Sequence, residues 1–208
     1  MIPALLLALG YVVGSVQSGL LVGRLYRGID VRDYGSGKTG FTNTLRTVGL
    51  GAAVIVVTLD IAKGALPVLI GRYLFDDPLG AALGGMAAVV GHTWPVFANF
   101  RGGRGVATSF GAFLAVAPLA ALVTLLFGGI VLATTRYVSL MSISAMLAGF
   151  AALAVFVAIG WTPREYLLFG VIVTLSVELN HLGNLKRLLR GTEPKIGQGG
   201  VRRTPGQA

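Results

Sequence analysis

Cysteine is absent from the 208 residues, and charge is scarce: 12% are Asp, Glu, Lys or Arg, and eight are acidic. Without thiols there is no disulfide framework and no thiolate chemistry. A soluble domain carries about a quarter of its residues as charges, so a soluble globular fold is excluded, and so is a disordered one. The two histidines have no carboxylates at ligand spacing, which leaves no metal centre to expect. Alternation of apolar and polar residues is also missing, and with it the signature of a membrane β-barrel.

What is present is apolar sequence: 54% hydrophobic residues and a mean hydropathy of +0.79. A chain of this kind is polytopic and helical, because backbone polar groups in lipid must be satisfied internally. Continuous apolar runs place spans over 2–23, 52–75, 79–98, 105–116, 118–135, 142–160 and 164–180. Residues 106–135 would make a helix about 45 Å long, too long for one crossing. Pro118, in the middle of that run, divides it. No basic n-region precedes the first run, so it reads as a span rather than a signal peptide.

Lys and Arg number 17 against those eight acids, a net charge of +9. In a soluble chain the excess would point to nucleic acid. Here the basic residues fall between apolar runs, where topology, anionic lipid and anionic substrates account for them. With seven spans, Arg24, Arg27, Arg32, Lys38, Arg46, Arg101, Arg104, Arg136 and the six basic residues of the tail share one side. The positive-inside rule makes that side cytoplasmic and the N-terminus external. The expectation is one membrane domain over 1–195, followed by a flexible tail over 196–208. Lys186 to Arg190 reads as an amphipathic basic helix on anionic lipid.

Clusters of Gly, hydroxyl and basic residues fall on the same side. In Gly35-Ser36-Gly37-Lys38-Thr39-Gly40-Phe41-Thr42-Asn43-Thr44-Leu45-Arg46, closely spaced glycines let backbone amides converge on an anion. Ser36, Thr42 and Asn43 add donors, and Lys38 and Arg46 add countercharge. The GxxxxGK[ST] spacing of nucleotide-hydrolysing loops is absent. His92 opens a second cluster that ends in Gly102-Gly103-Arg104-Gly105, a cation beside a helix start and so suited to phosphate. Ser139 and Ser142 follow Arg136-Tyr137; serines in membrane helices are most often packing residues. Asn180, His181 and Asn184 form the fourth cluster, with His181 at a span end. Within the second span, Asp60 and Lys63 lie three apart, a spacing that suits either a structural ion pair or a functional couple. No proton relay or inverted repeat is visible, which weakens the alternative of an anion or phosphate-lipid transporter.

Taken together and in this order, GSGKTGFTN-TLR, GHTWPVF-ANFRGGRGVAT, RYVSLMSIS and H-LGN-LKRLLRGTEPK resemble the bacterial acyl-phosphate:glycerol-3-phosphate acyltransferase family. Lys38 stands where that family usually has Asn, and Arg104 where Lys is common. The resemblance covers about 10–195. It implies a seven-helix membrane enzyme that moves a fatty acyl group from acyl phosphate to the sn-1 hydroxyl of glycerol 3-phosphate. The products are then lysophosphatidic acid and phosphate, with no cofactor, metal, nucleic acid or obligate protein partner involved. Catalytic roles are expected for His181, Ser36, Arg46 and Arg104. Substrate binding is expected for Gly35, Gly37, Lys38, Thr42, Asn43, Lys63, His92, Gly103, Ser139, Ser142, Asn180 and Asn184. The H-x4-D motif of thioester-using acyltransferases is absent, because Phe97 and Lys186 stand where its Asp would be.

Overall fold

The computed structural model describes residues 1–202, and among these ten α-helices carry the architecture. Helices α1 (Ile2–Ser15) and α2 (Ser18–Arg27) together make one 26-residue span. The sequence reads that run as unbroken, yet Val16 and Gln17 are extended. The interruption frees the Val16 carbonyl, which accepts a hydrogen bond from Lys63 Nζ at 2.7 Å. Helix α3 (Phe41–Thr47) is short. Helix α4 (Leu50–Leu69) continues through a π turn to Leu74 and spans 25 residues. Then come α5 (Pro78–Thr93), α6 (Val106–Val116), α7 (Pro118–Thr135) and α8 (Val138–Ala158). The last pair, α9 (Glu165–Asn180) and α10 (Leu182–Leu189), bends by 52°.

Among the described residues five helices are long and apolar enough to cross a membrane, and six if the bent pair makes one span. The division of 106–135 at Pro118 is present, with Pro118 as the first residue of α7. Helix α6, at 11 residues, is about 16 Å long and does not reach across hydrocarbon by itself. At its far end the Arg72 guanidinium, from the π turn after α4, donates to the Ala115 and Val116 carbonyls. A cation on carbonyls that end a helix complements the dipole.

Lipid supplies no hydrophobic drive between helices, so association depends on close packing at small residues. Helix α1 lies on α5 so tightly that a Cβ at Gly14 would sit 2.2 Å from the Ala88 carbonyl oxygen. Helices α4 and α6 meet in the same way, Gly64 on Thr108 and Gly111 on Ile61. The main core lies between α5, α6, α8 and α9, where the Phe113 and Phe169 rings pack at 5.1 Å beside Met146, Leu153 and Val173. Leu122, Leu125, Leu126, Phe127 and Ile130 of α7 are exposed, as a lipid-facing helix requires.

Candidate functional site

Asn43 shapes the first glycine-rich loop. Its side-chain amide donates to the Val31 carbonyl at 2.7 Å and the Lys38 carbonyl at 2.9 Å, and its Oδ1 accepts from the Ser36 amide at 3.0 Å. Both polar atoms of Asn43 are thus engaged with the loop's own backbone. Gly35 and Gly37 turn the loop at φ of 51° and 67°, a region that side chains disfavour. Arg32 chelates Asp30 and reaches the Ala98 carbonyl at 3.0 Å, tying this loop to the turn after α5.

The second loop doubles back on the end of α5: the Gly103 amide donates to the His92 carbonyl at 3.1 Å and the Gly102 amide to that of Thr93 at 3.3 Å. A Cβ at Gly103 would lie 2.0 Å from His92 Nε2, so the glycine rests directly on the imidazole. Behind that ring, Asp60 Oδ1 lies 3.6 Å from His92 Nδ1 and takes hydrogen bonds from Ser18 Oγ and Lys63 Nζ, each at 2.9 Å. Gln17, in the break between α1 and α2, joins both loops. Its Oε1 accepts from Thr39 Oγ1 at 2.6 Å, and its Nε2 donates to the His92 carbonyl at 3.3 Å.

Arg104 follows directly. Among the described residues its guanidinium has no hydrogen bond and no ion pair, and its Nε is sealed from solvent without a partner. Burial pulls its pKa down to about 10, Glu193 opposes this, and Arg187 and Arg46 add to it. The group stays cationic at neutral pH. Burial also lowers Arg46, again against Glu193. The first amides of α6 lie beside Arg104 without intrahelical acceptors.

At the end of α9, His181 is almost wholly buried and its Nδ1 lies 2.7 Å from the Val177 carbonyl. A carbonyl only accepts, so Nδ1 carries the proton and Nε2 of the neutral ring is an acceptor. Asn184 Nδ2 and Arg187 Nε donate to the two oxygens of Glu193 at 2.6 and 2.7 Å. Burial raises the Glu193 carboxyl, but donation from Asn184 and Arg187 outweighs it and leaves the pKa below the ordinary 4.5. A depressed carboxyl contributes stability that is present above 4.5 and lost as pH falls through the lower folded value. We expect thermal stability in detergent to fall along an acid limb below about 4.5, and Glu193→Gln to flatten that limb while losing stability at neutral pH. Parallel limbs for the two proteins would sink this account.

These parts enclose a cavity of about 1030 Å³. Ser36, Lys38, Thr42, Arg46, His92, Arg104 and His181 line one end; Val57, Ile61, Phe110, Leu125, Leu132 and Met146 line the other. Gly35, Asn43, Ser139, Ser142 and Asn184 also reach it. Four expected binding residues lie outside this lining. Gly37 is in the turn, Gly103 packs on His92, and Asn180 Nδ2 donates to the Ser176 carbonyl at 2.7 Å. Lys63 faces the α1–α2 break instead. The Ser142 hydroxyl donates to its own helix at Val138. Gln17, Thr39 and Glu193 hold the site together without being among the residues expected from the sequence; Gln17, a polar residue inside an apolar run, is the available signal.

Fold and site thus define a polytopic helical membrane protein with a cationic basin set at the end of an apolar groove. The family model for glycerol-3-phosphate acyltransferase matches residues 4–191. A glycerol-3-phosphate acyltransferase of Thermoanaerobacter sp. (strain X514) is 43% identical over 190 residues, covering 91% of this chain and 93% of that one. Its counterpart in Rubrobacter xylanophilus is 44% identical over 197 residues, covering 95% and 96%. The crystal structure of the integral membrane glycerol 3-phosphate acyltransferase PlsY (YgiH), in its glycerol 3-phosphate form, superposes with a TM-score of 0.87 at 38% identity over 94% of this chain and 96% of that one. The lysophosphatidic acid form gives 0.84 at 37% identity over 94% and 95%. The chain belongs to the glycerol-3-phosphate acyltransferase family, and it is an acyltransferase.

Proposed function

We propose that the protein transfers a fatty acyl group from acyl phosphate to the sn-1 hydroxyl of glycerol 3-phosphate, giving lysophosphatidic acid and phosphate. Arg104 carries this reading: a half-buried guanidinium with no hydrogen bond or ion pair among the described residues, facing a cavity that is basic at one end and apolar at the other. Both substrates bring phosphate, and the donor brings an acyl chain that suits the groove beside α7 and α8.

Arg104, Arg46 and Lys38 hold the two phosphates, with Ser36 and Thr42 donating from the first loop. The donor is a mixed anhydride with a good leaving group, so positioning and charge stabilisation account for the catalysis. His181 Nε2 accepts from the acceptor hydroxyl and orients it. The hydroxyl oxygen bonds to the acyl carbon, the carbon–oxygen bond to phosphate breaks, and the hydroxyl proton passes by way of His181 Nε2 to an oxygen of the departing phosphate. No acyl-enzyme forms: cysteine is absent, and no serine in the site has a histidine within hydrogen-bond distance among the described residues. Purified protein in detergent should form equimolar lysophosphatidic acid and phosphate from acyl phosphate and glycerol 3-phosphate, and no lysophosphatidic acid when an acyl thioester replaces the acyl phosphate. Product from the thioester alone would refute the assignment.

In this reading the membrane is the plasma membrane, the basic face is cytoplasmic, and α6 supplies a seventh crossing where Arg72 meets its carbonyl end. Because the chain lacks cysteine, single introduced ones report cleanly. In intact cells, a cysteine at Gln198 should resist a membrane-impermeant maleimide, and one at Asp77 should react. Labelling at both would overturn the topology.

A further inference from the structure

The expected flexible tail starts at Ile196, yet as far as Arg202 the chain lies across the site; residues 203–208 lie outside the described residues. The Ile196 amide donates to the Arg136 carbonyl at 2.9 Å, and the Gly35 amide to the Val201 carbonyl at 3.0 Å. Tyr34 and Arg202 form an antiparallel bridge. Between these ties, Gly199 and Gly200 pack on Arg46, whose Nη2 reaches the Lys195 carbonyl at 3.5 Å. The segment therefore crosses from the α7–α8 corner to the first loop and walls the basic end of the cavity.

Its attachment is uneven. Glu193 is 8% exposed and held by Asn184 and Arg187, whereas no residue from Lys195 to Arg202 is buried. Gly197, Gly199 and Gly200 stand at φ of 85°, 87° and 112°. A segment tied by a few exposed backbone hydrogen bonds opens at lower free energy than the helices beside it. The match to the family model ends at residue 191, before this segment begins.

We propose that residues 195–202 form a gate hinged after Glu193, which holds Arg46 in place when shut and admits the water-soluble phosphate substrate when open. The identity of that substrate rests on the function proposed above; the motion does not. The acyl chain needs no such gate, because the groove beside α7 lies among lipid-exposed residues.

A disulfide across the bridge tests the gate, because residues directly opposed in an antiparallel pair lie about 4.5–5.5 Å apart at Cα, within the disulfide range. In the full-length Tyr34→Cys/Arg202→Cys protein, oxidation should lower turnover at least tenfold, and reductant should restore it. Either single variant should be indifferent to oxidant. Hydrogen exchange supplies a readout that needs no activity. In the reduced protein, peptides covering 31–47 and 195–202 should exchange well before those of α4 and α5, and the crosslink should slow them at least tenfold. Full turnover in protein shown by mass to be crosslinked would overturn the gate. Exchange of these peptides only on global unfolding would overturn it as well. Normal exchange behaviour without acyl transfer from any donor would leave the gate standing and remove the proposed reaction.

Discussion

Arg104→Ala should lower kcat/KM for acyl transfer about tenfold or more while leaving the protein at least as stable as before, given that a charge-assisted hydrogen bond to a desolvated anion contributes roughly 1.5–3 kcal/mol. The two halves of this expectation have one cause. The guanidinium makes no hydrogen bond or ion pair in the empty protein, and the attraction of Glu193 is set against burial and the repulsion of Arg187 and Arg46, so its removal orphans no hydrogen-bond partner. Its energy is realised only when an anion arrives. Arg104→Lys keeps the charge but loses the planar fork, so it should fall between wild type and alanine. Thermal shifts separate binding from chemistry, because a ligand stabilises only the state it binds. Glycerol 3-phosphate or inorganic phosphate should raise the melting temperature of wild type more than that of Arg104→Ala. If Arg104→Ala turns over normally with an undiminished thermal shift, the residue is a topological anchor and the phosphates are held elsewhere.

That arginine was legible in the sequence, as a basic residue among glycines before a helix start, on the side where the other polar clusters lie. So were the helical membrane class, the division at Pro118 and the Asp60–Lys63 pair, since each depends on composition, length or helical spacing. What escaped depends on contacts between residues far apart in the chain. Asn43 looks like a donor for substrate, but the fold uses it to close its own loop. Gly103 looks like part of an anion cradle and is instead the surface on which His92 rests. The break at Val16–Gln17 lies inside an apolar run with no proline to mark it, and Gln17's partners at Thr39 and His92 come from two other segments. The tail is poor in apolar residues and rich in glycine, which reads as disorder. Its path as far as Arg202 follows backbone hydrogen bonds to the first loop and to Arg136, which no local pattern encodes.

The largest loss of stability is expected from splitting the Asp60–Lys63 pair. Asp60 is 1% exposed and Lys63 is 7% exposed, and their charged atoms meet at 2.9 Å. Breaking a buried pair leaves an uncompensated charge and costs about 3–5 kcal/mol, whereas replacing both partners with apolar residues of similar volume is often neutral. For a chain of this length Asp60→Ala or Lys63→Ala should lower the melting temperature in detergent by roughly 6–20 °C. Asp60→Leu/Lys63→Met should recover most of the loss, less what the Ser18 hydroxyl and the Val16 carbonyl forfeit as partners. A double variant no more stable than the singles would show that the pair is more than mutual neutralisation. Asp60 would then be required as the acceptor that orders Ser18 and His92 around the break in the first span. Lys63 touches the far side of that break rather than the cavity, so the pair joins the first span to the wall of the site. Its loss should therefore appear first as unfolding, and in kinetics only in the fraction of protein that remains folded.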